Sequence, residues 1–505
     1  MRITPAAAVA ANGVGSSLKR DLIASLVVFL VAVPLSLGIA LASGAPLMAG
    51  LIAAAVGGIV VGLCGGAPLQ VSGAAAGLSV MVFGMVQQFG WATTCAITVM
   101  AGLIQIALGV FKTGRITLAI SPAVVHGMLA GIGVLIVLGQ IHVVLGGTPQ
   151  HSAIKNLQAL PEQIADLHGP TVGLGLLTIA LLLVLPYMPK PIRSLPGALV
   201  AVTITTLVAL GMHIDTARIN LPENLTSAFS LPHLPTGNYV AIVIAALTMA
   251  LVASTESLLS AVATDKLHTG PRSDLDRELV GQGLGNLVSG LIGGLPVTGV
   301  IVRSSANIGA GAQTRLSAIL HGVWVIVFVA LLGSMLRQIP TAALAGLLVV
   351  IGAKLVNFHH VRQLMSHREA AVYGVTLFGV VAFSLLTGVG MGIAVAVGML
   401  LHRLAHSKIV TEERSGRWHV RVEGNLTFIT TPKLTTALAK IPAGADVDID
   451  LMADFMDHAA FEALHNWRLQ QERSGGHVDI DEKHERWYEQ RETMSANAEL
   501  ARAGA

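Results

Sequence analysis

Gly293-Gly294-Leu295-Pro296-Val297-Thr298-Gly299-Val300-Ile301-Val302-Arg303 repeats the grammar of a run found 228 residues earlier, Gly65-Gly66-Ala67-Pro68-Leu69-Gln70-Val71-Ser72-Gly73-Ala74-Ala75-Ala76. In each, a Gly-Gly-x-Pro turn stops an apolar stretch, and small residues then start a new one. Working outward, apolar stretches bounded by turn residues predict spans at 21–43, 46–64, 93–111, 121–145, 171–188, 195–213, 238–263, 278–293, 316–335, 341–356, 369–387 and 389–404, with two shorter interrupted segments at 73–88 and 298–309. Each interrupted piece is the third of a set of seven. An odd number of spans per repeat turns the second copy upside down in a bilayer, and matched Gly/Pro-broken segments point to a transport site between the copies.

The composition agrees. Hydrophobic residues make up 53% of the 505 residues and charged residues 12%, about half the usual charged fraction of a soluble domain. Between Asp21 and Lys112 there is no Asp, Glu, Lys, Arg or His. Ninety such residues hold about four spans of roughly 20 residues each. Lys19 and Arg20 lead directly into the first run with no small-residue cleavage site after a short core, so no removable signal peptide is expected. Cys64 and Cys95 are too few for a disulfide framework or metal cluster. A net charge of +3 does not point to nucleic acid.

Charge is informative loop by loop. Lys112, Arg115, Lys190, Arg193, Lys266, Arg272, Arg277, Arg315, Arg362 and Arg368 fall in alternate loops, whereas 146–170 and 214–237 carry only Lys155 and Arg218. The positive-inside rule then places both termini in the cytoplasm. The expected organisation is a cytoplasmic N-terminus (1–20), a first repeat (21–213), an extracytoplasmic connection (214–237), a second repeat (238–404), a small cytoplasmic α/β domain (405–490) and a flexible tail (491–505). In that domain Trp418–Val422, Asp446–Leu451 and His477–Ile480 read as strands and Phe461–Gln471 as a helix.

A half-helix beginning inside a bilayer exposes unpaired N–H groups and about half a positive charge at its N-terminus. Two such ends facing each other make an anion site without a titratable residue. Ser72, Gly73, Ala74, Ala75 and Ala76 are expected to supply one end, and Thr298, Gly299, Val300 and Ile301 the other. Arg303 would add positive charge and exclude cations; the alternative is an arginine that snorkels or pairs structurally with a carboxylate elsewhere. Glu256 stands in the otherwise uncharged Ala246–Ala263 stretch, where a carboxylate costs at least about 2.5 kcal/mol to insert. It is expected to couple a proton or to bind Na+, with Ser260 one turn along and Thr298 assisting, unless it merely pairs with Arg303. Gln70 and Ser36 are candidate lining residues. Gln282 and Asn286 read as interhelical hydrogen-bond formers, and His126 and His142 as packed residues. No phosphate-cradling glycine loop with its lysine is present, so no ATP-driven step is expected, and no enzymatic spacing emerges.

At these residues the chain resembles the SulP (sulfate permease) family. The resemblance rests on Glu256-Ser-Leu-Leu-Ser260-Ala-Val-Ala-Thr-Asp265, Arg277-Glu-Leu-Val-Gly-Gln-Gly-Leu-Gly-Asn286, Gly293–Pro296, Arg303-Ser-Ser-Ala-Asn-Ile-Gly-Ala-Gly311 and Pro34–Gly44, and covers essentially 20–460. It implies an α-helical polytopic membrane protein with fourteen transmembrane segments in a 7+7 inverted repeat. Core and gate domains, a cytoplasmic STAS-like α/β domain and a homodimer in a bacterial inner membrane are also implied. It implies an anion site between the starts of the third and tenth segments. Within the family the chain looks most similar to bacterial bicarbonate-transporting members, many of which are associated with carbonic anhydrases. Bicarbonate coupled to Na+ or H+ is the leading expectation. A sulfate or dicarboxylate:H+ symporter or an anion exchanger comes next, with a nucleobase permease and a passive channel behind. In the α/β domain, Asp457-His458-Ala459-Ala460 departs from the family's phosphorylatable Asp-x-Ser-Gly, because Ala459 offers no hydroxyl.

Overall fold

A computed structural model describes residues 5–115, 121–150, 153–165, 169–189, 195–220, 238–356, 369–404, 406–414 and 416–480. The expected tail at 491–505, most of the 214–237 connection and the basic loop at 357–368 lie outside the described residues. The chain divides into two compact units, Met1–Ile393 and Ala394–Ala505.

The first unit is helical. Its elements are α1 (Pro5–Ala42), α2 (Leu47–Cys64), β1 (Ser72–Ala74), α3 (Ala76–Phe89), α4 (Trp91–Val110), α5 (Pro122–Val144), the short amphipathic α6 (Ala153–Ala165), α7 (Gly169–Val184) and α8 (Gly197–Gly211). The second repeat follows as α9 (Tyr239–Asp265), α10 (Leu275–Leu291), β2 (Val297–Gly299), α11 (Ile301–Gly309), α12 (Leu316–Leu336), α13 (Thr341–Leu355) and α14 (Ala370–Ala382), with α15 (Leu385–Leu404) running into the second unit. Each of the fourteen expected segments is present as a helix. Seven are long and apolar enough to cross a membrane, and five more are shorter apolar helices. The other two are α10, with Asp276 and Glu278 in its first turn, and the nine-residue α11.

The interrupted segments begin later than the sequence predicts. Helix starts at Ala76 rather than 73, and at Ile301 rather than 298, because the residues just before pair as strands. β1 and β2 lie antiparallel, Ser72 opposite Gly299, Gly73 opposite Thr298 and Ala74 opposite Val297. The pairing satisfies backbone groups that would otherwise be orphaned inside a bilayer. All six strand residues are buried.

Close packing positions this ribbon. α4 and α10 approach backbone to backbone: a Cβ on Gly102 would meet Gly283 O at 2.6 Å, and a Cβ on Gly283 would meet Gly102 O at 2.6 Å. Small residues permit such contact where lipid supplies no hydrophobic drive between helices. α2 contains a π-turn at Gly57–Val61, where a Cβ on Gly57 would strike Ser72 O at 2.5 Å, so β1 rests against the π-turn. π-turns of this kind recur at functional sites.

The second unit carries a four-stranded sheet: β3 (Ser407–Arg414), β4 (Arg417–Leu426), β5 (Val447–Met456) and β6 (Val478–Ile480) in that spatial order. β3 and β4 are antiparallel; β4, β5 and β6 are parallel. α16 (Thr431–Leu438) and α17 (His458–Arg473) complete a core around Val422, Leu434, Ile449 and Phe461. The three expected strands and the expected helix are all found, and the arrangement is STAS-like. Asp457 is the N-cap of α17, accepting from Ala460 N at 2.9 Å.

Candidate functional site

The site is built where the two broken segments meet. Ala75 and Val300 cap α3 and α11 in extended conformation, and neither helix start carries a side-chain cap. Two sets of amide N–H groups and two positive dipole ends therefore flank the β1–β2 ribbon, one at each of its ends. Asn286 holds the second arm: its Oδ1 accepts from Val297 N at 2.6 Å, and its Nδ2 donates to Val297 O at 2.9 Å and to Gln105 Oε1 at 2.7 Å. Gly299 N donates to Ser257 Oγ at 3.1 Å, and Val71 N donates to Ser304 Oγ at 3.0 Å.

Arg303 reaches from α11 to the opposite arm. One Nη2 hydrogen bond goes to Ser36 Oγ on α1 at 2.8 Å and a longer one to Ala74 O at 3.3 Å. The side chain is wholly buried, yet Nε and Nη1 have no hydrogen-bond partner. A Cβ on Gly73 would fall 2.1 Å from Nη1, so glycine there makes room for the guanidinium. Glu256 reaches from α9 to the first turn of α3, where a Cβ on Gly77 would lie 2.7 Å from its Oε1. Its Oε2 is buried without a partner. Among the described residues no ion pair joins Glu256 to Arg303.

Of the other expected site residues, Ser72, Gly73, Ala74, Thr298 and Gly299 lie on the ribbon, while Ala76 and Ile301 are the first helical residues. Thr298 Oγ1 is buried and without a partner. Ser260 is buried on α9, one turn beyond Glu256. Gln70 is drawn away from the helix starts, donating through Nε2 to Glu278 Oε1 at 3.0 Å. Gln282 Nε2 bridges Ser72 Oγ and Glu278 Oε1, both at 2.7 Å, so Gln282 and Asn286 act as hydrogen-bonding glue as expected. His142 Nε2 packs 2.9 Å from Asn156 O.

Two buried residues escaped the sequence reading. Glu278 sits inside a quoted motif, but nothing in the motif reveals that its Oε2 accepts from Gly66 N and Ala67 N, each at 2.8 Å. It thereby ties the first Gly-Gly-x-Pro turn to α10. His321, in the middle of α12, is fully buried with neither ring nitrogen hydrogen-bonded. A histidine inside an apolar span was the available signal.

Comparison with known proteins gives the family and the fold. The Sulfate permease family profile matches residues 18–376. The putative sulfate transporter YvdB of Bacillus subtilis is 29% identical over 92% of this chain and 91% of its own length. The bicarbonate transporter BicA of Picosynechococcus is 28% identical over 77% of this chain and 71% of its own. The solved transmembrane domain of a cyanobacterial BicA superposes with a TM-score of 0.67 at 26% identity, covering 75% of this chain and 97% of that one. SLC26A9 shares the fold, with a TM-score of 0.76 at 16% identity over 92% of this chain and 84% of its own. With paired strands joining the two broken segments beside a buried arginine, and a family match over most of its length, the chain belongs to the sulfate permease family of multi-pass anion transporters.

Proposed function

We propose that the protein is a cation-coupled symporter whose anion docks at the uncapped starts of α3 and α11, with bicarbonate as first substrate and sulfate as second. The observation that supports this reading is the β1–β2 pairing, which joins the two broken segments with one helix start at each end of a short buried ribbon and the unfilled Arg303 donors beside it. Each helix end contributes about +0.5 and Arg303 one positive charge, while ionised Glu256 subtracts one. The sum is roughly +1, the complement of a monovalent anion. Na+ or H+ on Glu256 raises it to about +2, so cation and anion favour each other's binding. That mutual preference is what coupling requires.

Bicarbonate differs from sulfate near neutral pH in carrying an O–H donor. Glu256 Oε2 and Thr298 Oγ1 can each accept a hydrogen bond, and both lack a partner. The BicA relatives support this choice, while the longer match to YvdB supports sulfate. On this reading the core moves against the gate in an inner membrane, both termini face the cytoplasm, the protein works as a homodimer, and carbonic anhydrase is a functional neighbour. The test is uptake of radiolabelled bicarbonate, sulfate and fumarate into proteoliposomes, with sodium and pH gradients imposed separately. Concentrative bicarbonate uptake driven by either gradient is expected. Accumulation of sulfate alone would transfer the assignment to sulfate, and no gradient-driven uptake would reject symport.

A further inference from the structure

We propose that α6 (Ala153–Ala165) is an interfacial helix whose apolar edge, formed by Ile154, Leu157, Pro161 and Ile164, seats in the lipid leaflet at the membrane face where α5 ends. Three sectors run round this helix. Ala153 and Asn156 are buried against the protein. Asn156 fixes that orientation: its Oδ1 accepts from Gln150 N at 2.8 Å, and its Nδ2 donates to Gln150 O at 3.1 Å. Ile154, Leu157 and Ile164 are 55%, 60% and 51% exposed, and Pro161 is exposed with them. At about 100° per residue these four share an arc of about 80°. Lys155, Gln158 and Glu162 are exposed on the next arc. Protein on one side, aliphatic carbon on the second and polar groups on the third is the pattern of a helix lying along a membrane surface.

The position of α6 points to lipid as the occupant. Along the chain it stands between two apolar spans, α5 and α7. α5 has 23 residues and rises about 34 Å, just over the roughly 30 Å of a bilayer's hydrocarbon core. His142, in the last turn of α5, lies with Nε2 2.9 Å from Asn156 O, so α6 is level with the edge of that core. A second protein is a poorer fit, because four side chains cover far less than the roughly 800 Å² per partner of a standard interface. The buried edge has a consequence of its own. Ala153 and Asn156 wall a cavity of about 90 Å³ together with Ser79 and Phe83 of α3 and Gln140 of α5, and Gln140 Oε1 is buried without a partner. Lipid seating on one edge of α6 thus holds in place, on the other edge, a wall of the space between α3 and α5.

The test uses the full-length protein in phosphatidylcholine vesicles, with a photo-crosslinking amino acid in place of Leu157 or of Gln158, which are both exposed and adjacent in the chain. Lipid adducts are expected at position 157 and not at 158. A second measurement follows hydrogen exchange at residues 154–164. The triple variant Ile154→Ala, Leu157→Ala, Ile164→Ala should exchange about tenfold faster or more, because aliphatic burial is lost while alanine keeps helix propensity high. The double variant Gln158→Ala, Glu162→Ala should stay within about twofold of the unsubstituted protein. Four results would overturn the proposal: lipid adducts equal at the two positions, none at 157, crosslinking of 157 to a second copy of the chain, or exchange unmoved by the triple variant.

Discussion

Glu256→Gln tests the coupling logic directly, because glutamine mimics the carboxyl with its charge neutralised while keeping its size. Arg303 Nη1 lies beside Gly73 and Glu256 Oε1 beside Gly77. These glycines are four positions apart, so at most about 14 Å of chain joins the places where the two charges lie. Unit charges about 12 Å apart at an effective dielectric of 20 interact by about 1.4 kcal/mol, a factor of about ten. An anion docked at the helix starts feels repulsion of that order from ionised Glu256. The substitution should therefore lower the KM for the anion about tenfold when no cation gradient is imposed. Downhill flux should persist, while accumulation driven by sodium or by a pH gradient should vanish. The assay is radiolabelled uptake into proteoliposomes, reading initial rate against anion concentration with each gradient on and off. If Glu256→Gln still concentrates anion in response to a gradient, the carboxylate is not the coupling group and the reasoning fails.

Three further substitutions separate binding from scaffolding. Arg303→Met removes a buried cation with two unpartnered donors, so the melting temperature in detergent should hold or rise, while anion affinity falls at least about tenfold. Gly77→Ala should leave α3 intact, since alanine favours helix by about 1 kcal/mol. Its Cβ would nevertheless stand 2.7 Å from Glu256 Oε1 and displace the carboxylate, so gradient-driven uptake should fall sharply in vesicles holding normal amounts of protein. Glu278→Gln places an amide where backbone N–H groups of Gly66 and Ala67 now donate, and should cost about 2–4 kcal/mol, read as a lower melting temperature.

Much of this architecture was legible because its signals are local. Fourteen apolar runs are separated by turns, and Gly-Gly-x-Pro marks both interruptions. What failed to read locally is what depends on partners far along the chain. The half-helix starts were placed three residues early, since nothing in Ser72-Gly73-Ala74 announces a strand whose partner is Val297-Thr298-Gly299. The strand β3 and the short helix α16 were missed for related reasons. Ser407–Arg414 has an intermediate-to-exposed pattern with no clean alternation, and α16 is only eight residues long with Pro432 in its first turn. Glu256 and Arg303 stand out in the sequence because each is a lone charge in an apolar stretch. Glu278 was hidden by standing among polar neighbours at the start of α10.

The contrast between the two carboxylates argues for their division of labour. Glu278 is fully buried, and its two oxygens accept from Gly66 N, Ala67 N, Gln70 Nε2 and Gln282 Nε2. A carboxylate so enclosed has its charge answered by donors that the fold supplies permanently, and it has no capacity left for a passing ion. Glu256 lies against the open turn of α3 with Oε2 unanswered. A fold that kept such a group for stability alone would hold a half-buried carboxylate with one oxygen shielded from water and unanswered by any donor. That cost is recovered only when something outside the fold binds there. Arg303 poses the same question with opposite sign, through its unfilled Nε and Nη1. One cation and one anion, arriving together, would satisfy both groups, and neither alone would. On the proposed reading, that mutual condition is what couples the two fluxes.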